Sequence, residues 1–264
     1  MTENDDFYVG YQEEAPERQA QFIKRKVGVI FVVLISVALL FSLGQAPFKN
    51  STFELGNLRE LSGTFYHAPY PMLRVKIKNT YKDILLVGFG KFGVDQSFQN
   101  SGIINLLPKD GSELILKGTM IYYDGKALFQ TEANLEGTYE VSDWKEYVLE
   151  SKSLGVQSLK GEVVDPKCYF GVMKPGNGKI HRSCATRCLS GGIAPVFITT
   201  NQKGYHEYYI LTDIDGKKLG REILEYVGKP SMLEGEVWDL GEWKQMRIDP
   251  AEILLLDAES VIYE

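Results

Sequence analysis

The stretch LILKGTMIYYDGKALF, residues 114–129, reads as two strands joined by a tight turn. β-Branched and aromatic residues fill both arms, which suits a pleated, half-buried surface. Asp124-Gly125 supplies the positive φ that a two-residue hairpin turn demands. Gly118 sits early in the first arm, where a strand glycine marks a bulge or a barrel corner. Upstream, LSGTFY (61–66) and ILLVG (84–88) complete a set of strand-like runs.

The same set recurs downstream. LKGEVV (159–164), PVFIT (195–199) and YYIL (208–211) lead to MLEGEVWDLGEWKQM (232–246), where Gly235 takes the place of Gly118. Leu240-Gly241 is the weaker of the two turns, since Leu gains nothing from a positive φ. The expected fold is therefore mainly β: two tandem, small, OB-like barrels over 58–140 and 158–264, with linkers at 45–57 and 141–157. Few helices are expected. KLGREILEYV (218–227) spaces Leu219, Ile223, Leu224 and Val227 helically before Gly228 and Pro230, and 92–107 holds the matching place in the first module.

Ahead of the barrels lies VGVIFVVLISVALLFSLG, residues 27–44, with no charge and only two serines. At roughly 1.5 Å per helical residue it covers about 27 Å, close to the apolar thickness of a bilayer. Arg18, Lys24, Arg25 and Lys26 precede it closely, whereas the next basic residues after it are Lys49 and Arg59. Positive charge on the N-terminal flank predicts a single-pass bacterial inner-membrane protein, its N-terminus cytoplasmic and its C-terminal domain periplasmic. Ser42-Leu43-Gly44 could pass as a signal-peptide cleavage site, but the leader is long and acidic and the apolar run exceeds a usual signal core. Residues 1–26, rich in Glu and Asp, read as a disordered cytoplasmic tail.

All three cysteines fall between the first two strands of the second module: DPKCYFGVMKPGNGKIHRSCATRCLSGGIAP, residues 165–195. The first module has only HAPYP (67–71) in that place, so one copy is plain and the other elaborated. His181, Cys184 and Cys188 are spaced to share one helix face, which Gly191-Gly192 would end. Cys168 can fold back across a Pro-Gly-Asn-Gly loop. Together they form a candidate Cys3His set of the kind zinc or cuprous copper takes. The competing readings are a disulfide from Cys168 to Cys184 or Cys188 with one spare thiol, favoured in an oxidising compartment, and three simple thiols. Lys167, Lys174, Lys179, Arg182 and Arg187 make the loop basic, opposed by Asp165. Such surroundings favour thiolate over thiol and offer a candidate docking patch for an anionic partner or lipid headgroups.

On the pattern Gly161-x-x-x-Asp165-x-x-Cys168, Cys184-x-x-x-Cys188 and Gly191-Gly192-x-x-Pro195, the chain resembles a group of uncharacterised exported bacterial proteins. The resemblance spans residues 161–195 and implies export and an OB-like module. Those relatives place a His nearer the first Cys than His181 lies here.

The remaining chemistry is sparse. A net charge of −6 argues against nucleic-acid binding, which needs a basic face for phosphates. Gly-x-Ser-x-Gly, His-Glu-x-x-His and P-loop patterns do not occur. Gly88-Phe-Gly90-Lys-Phe-Gly93 imitates a dinucleotide fingerprint, but no βαβ unit follows it. Trp238 and Trp243 flank the last turn and read as packing residues. The expected role is a binding or accessory protein that uses the Cys/His loop to hold a metal or to engage a redox membrane complex. A thiol-active enzyme with Cys184 or Cys188 as nucleophile, and a docking subunit with a disulfide-pinned loop, are the rivals.

Overall fold

The computed structural model describes residues 15–45, 51–100, 108–133, 135, 151–201 and 203–257. The outer parts of the N-terminal tail, most of the 141–157 linker and the end of the 92–107 segment lie outside them.

Helix α1 runs Glu17–Gly44 and buries none of its residues within the chain. It is long and apolar enough to cross a membrane, as an anchor or a signal sequence would. The helix begins ten residues ahead of the apolar run, so 17–26 is helical rather than part of a structureless tail. Pro16 stands at its N-cap, and Gln, Ala, Lys and Arg follow, all sound helix formers.

The second unit, Asn50–Glu264, contains both barrels. A short strand β1 (Thr52–Phe53) precedes β2 (Arg59–Tyr66), β3 (Met72–Ile77), β4 (Thr80–Val87), helix α2 (Val94–Asn100), β5 (Glu113–Tyr123) and β6 (Lys126–Thr131). The sheet order β5-β2-β3-β4-β6 closes through β5–β6. Only β4 and β6 pair in parallel, Leu85 opposite Leu128, while the other barrel pairs are antiparallel. The second barrel repeats this plan. It consists of β7 (Lys152–Val164), helix α3 (Gly178–Ser190), β8 (Val196–Thr200), β9 (His206–Thr212), β10 (Pro230–Asp239) and β11 (Lys244–Ile248), with a short β12 (Leu254–Leu255) added at one edge. Its order β10-β7-β8-β9-β11 closes through β10–β11, and β9 runs parallel to β11. Five strands in this order, with the third and fifth parallel, make two OB-like barrels. The expected duplication thus exists as two barrels of one topology.

The matched glycines close the barrels. A Cβ on Gly118 would lie 2.2 Å from the Gln130 carbonyl oxygen, and one on Gly235 2.2 Å from that of Arg247. Only hydrogen fits where the fourth strand folds across the fifth. Three boundaries differ from expectation. Strand β1 (Thr52–Phe53) lies inside the supposed 45–57 linker. β7 starts at Lys152, inside the supposed 141–157 linker, and 218–227 forms only a 3-10 turn at Arg221–Glu225. Gly220 interrupts that segment, leaving too few residues to repay α-helix nucleation.

The first barrel is filled by Phe65, Leu73, Ile84, Leu86, Leu114 and Phe129, among others. A second apolar core joins its outer face, including Met72, Leu85, Val87, Ile121 and Leu128, to the second barrel. Strand β4 shows why Ile84-Leu-Leu-Val87 lacks alternation: Ile84 and Leu86 face the barrel interior, and Leu85 and Val87 face the other module. Each such aliphatic side chain contributes about 1.5–3 kcal/mol when fully buried. The barrels are therefore packed together. Polar ties run along the same seam: Trp243 Nε1 donates to the Asp83 carbonyl at 3.1 Å, and Tyr208 donates to Asp124 at 2.7 Å.

Candidate metal centre

The cysteine loop fills the space between the first two strands of the second barrel and reaches the first barrel. It opens on a π-helical turn, Cys168–Val172, a wide turn that is frequent at functional sites. This turn drives Phe170 into the seam, where its ring lies 4.9 Å from that of Tyr208 and 6.0 Å from that of Trp243. Gly171 passes so near Ile121 that a Cβ would come within 2.6 Å of its side chain.

Helix α3 then carries His181, Cys184 and Cys188 on its inner face, with His181 and Cys188 buried and Cys184 half-buried. Gly191 caps it as expected. Its amide donates to the Arg187 and Cys188 carbonyls, and Gly192 follows at a φ of +97°. A Cβ on Gly191 would lie 2.1 Å from the Lys91 carbonyl oxygen. Gly93, in turn, donates its amide to the Gly191 carbonyl at 2.9 Å. The glycine run at 88–93 is thus the seat on which the end of α3 rests.

Cys168, Cys184 and Cys188 are all free thiols, and their sulfurs lie within 4.8 Å of one another. A second group of the same compactness comprises Asp165, Cys168 and His181. The expected Cys3His set therefore splits. His181 sides with Asp165, and Cys168 belongs to both groups. Asp165, which spacing arguments passed over as a ligand, is fully buried; its Oδ1 accepts from the Lys167 amide at 2.9 Å and its Oδ2 has no hydrogen-bond partner among the described residues. His181 Nε2 is likewise buried and without a hydrogen-bond partner among them. The signal available in the sequence was Asp165's position as the acid opposing a run of bases.

The electrostatics depart from expectation. The Cys168 thiol is pushed up, first by its hydrogen bond with Cys188, then by burial and by the Asp165 carboxylate. The charge that shifts it most is an acid, so the basic loop does not activate it. Burial lowers His181, which stays neutral and keeps a lone pair available at neutral pH.

The basic docking patch is not assembled as a surface. Lys167 is buried, and its ammonium donates to the Gly88 and Gly90 carbonyls at 2.8 and 2.6 Å. Lys174 folds over the Tyr123 and Tyr169 rings and donates to the Tyr169 carbonyl. Arg182 is half-buried beside Gly228, with a 3.4 Å contact to the Glu225 carbonyl. Lys179 and Arg187 are exposed on α3. Long aliphatic stems pack on apolar surface wherever a carbonyl or ring can hold the charged tip.

Soft thiolates, a neutral imidazole and a carboxylate are the donors of zinc sites, and the thiolate-rich half also suits cuprous copper. No protein-family model, no curated protein and no solved structure matches this chain, so the reading of the site rests on its own geometry.

Proposed function

We propose that the protein is a membrane-anchored accessory protein whose exported β domain holds a thiophilic metal ion, zinc or cuprous copper, on Cys168, Cys184 and Cys188. The observation that carries this reading is the convergence of three free sulfurs within 4.8 Å from two separate segments of chain. Two of the three are buried, so the cluster is shielded from random oxidation and from bulk water. The ion would tie the π-helical turn to α3 and so fix the wedge between the barrels. A rigid surface built on that wedge would serve a membrane complex, a redox complex being the partner class that thiolate-bound metal suits best.

Metal content of the full chain, purified in mild detergent, tests the reading. Bound zinc or copper is expected in the native protein and is expected to be lost in Cys168→Ser. Metal-free protein whose thiols all label rapidly in the folded state would overturn it. Placement is tested separately. The basic flank of α1 at Arg18, Lys24, Arg25 and Lys26 supports a cytoplasmic N-terminus and a periplasmic barrel pair. Protease added to intact spheroplasts should then digest the C-terminal portion; digestion only in inside-out vesicles would reverse the orientation.

A further inference from the structure

We infer that the centre is a two-ion site, with the Cys168 sulfur shared between a three-thiolate position (Cys168, Cys184, Cys188) and a second position made by Asp165, Cys168 and His181. This rests on the reading that the cysteines bind metal, and it adds a second set of ligands to that reading.

Two observations carry it. The first is geometric: each trio falls within 4.8 Å, and Cys168 is the member common to both. A thiolate sulfur has lone pairs enough to serve two cations at once, whereas one tetrahedral ion would draw all its ligands into a single compact group. The second is the pair of orphan atoms. Asp165 Oδ2 and His181 Nε2 are buried without a hydrogen-bond partner among the described residues, and both residues belong to the trio that includes Cys168. Leaving a buried carboxylate oxygen and imidazole nitrogen unsatisfied is costly, and a cation held by the two residues removes that cost. Asp165 Oδ1 is anchored by the Lys167 amide, which leaves Oδ2 as the free donor atom.

Charge is compatible with it: three thiolates and one carboxylate sum to −4, the buried Lys167 ammonium beside them makes −3, and two divalent cations leave only +1. The second position, with mixed oxygen, nitrogen and sulfur donors, suits a borderline divalent ion.

The test uses the full chain in detergent, loaded with zinc and freed of excess by gel filtration. Two equivalents of zinc per chain are expected. Asp165→Ala and His181→Ala should each lower this to one, and Cys168→Ser, which removes the bridge, should abolish tight binding at both positions. Cobalt(II) titration of the native protein gives a readout that needs no variant to fold. The first equivalent should bring thiolate-to-cobalt absorption and a paramagnetic resonance signal, and the second should weaken that signal by coupling through the shared sulfur. One equivalent of zinc that survives both Asp165→Ala and His181→Ala overturns the second position while leaving the cysteine site intact. One equivalent that needs all five residues replaces it with a single ion. Failure to bind zinc or cobalt at all removes the metal reading itself.

Discussion

Lys167 places an ammonium group inside the protein, 4% exposed, with its charge directed at two backbone carbonyls of the other barrel. Burial lowers its pKa, and the nearby Asp165 and cysteines offset part of that shift. Lys167→Met keeps the length of the stem and removes both hydrogen bonds. It should cost about 2–3 kcal/mol of stability, read as a lower denaturant midpoint of the metal-free chain. The same variant should weaken metal binding by about 10- to 100-fold, because the two hydrogen bonds that fix the segment carrying Asp165 and Cys168 against the first barrel are lost. An unchanged midpoint would show that water replaces the ammonium without penalty. The sequence displays Lys167 as one base among five and cannot display the carbonyls of Gly88 and Gly90, which lie in another module. Asp165 is the reverse case: a lone acid in a basic loop whose burial, not its neighbours in the chain, makes it a ligand candidate.

Helix α3 was legible as an element because every cue for it is local. The spacing of His181, Cys184 and Cys188 sets its inner face, and Gly191-Gly192 stops it, as the φ of +97° at Gly192 shows. The strands were legible for the same reason, each bounded by turn residues, with Gly118 and Gly235 marking matched crossings. What the helix rests on was not legible. The run Gly88-Phe-Gly90-Lys-Phe-Gly93 reads as a hairpin or as a false cofactor fingerprint, yet a Cβ on Gly93 would lie 2.5 Å from the Gly192 carbonyl oxygen, one on Gly88 would meet the Gly93 carbonyl, and Gly90 takes a φ of +66°. Close backbone approach between segments a hundred residues apart leaves no periodic trace. The short turn at Arg221–Glu225 shows the opposite failure. Helical spacing was present, but Gly220 and the brief run outweighed it.

At the scale of the whole barrel pair, the chain behaves as one packed body because the first barrel has two apolar faces on β4 and β6 where a free barrel would have one. Unalternated runs such as Ile84-Leu-Leu-Val87 carried that information from the start, and only the partner surface was missing. A polar clasp closes the seam beside this core. Asp95, on α2 of the first barrel, lies 2.7 Å from Lys218 and 3.2 Å from His67, and Tyr70 of the first barrel accepts the Leu219 amide at 3.2 Å. Burial would raise the Asp95 carboxyl, but hydrogen bonds from His67 and Lys218 outweigh it and hold the group down at about 2, against 3.8 for an unperturbed Asp. A carboxyl with a depressed folded-state pKa contributes stability that is fully present above the unfolded value and fades as pH falls towards the folded one. Asp95→Asn should therefore lower stability at neutral pH by about 1 kcal/mol, a modest figure because the three side chains are each about a third to a half exposed and screened. The gap between native and variant should narrow below about pH 4 as the unfolded chain takes up the proton. Added salt at neutral pH should narrow it as well. Denaturant midpoints measured for both proteins across that pH range decide the matter: a gap that ignores pH and salt alike would mean that Asp95 acts through shape, and that its charge adds nothing to the attachment of one barrel to the other.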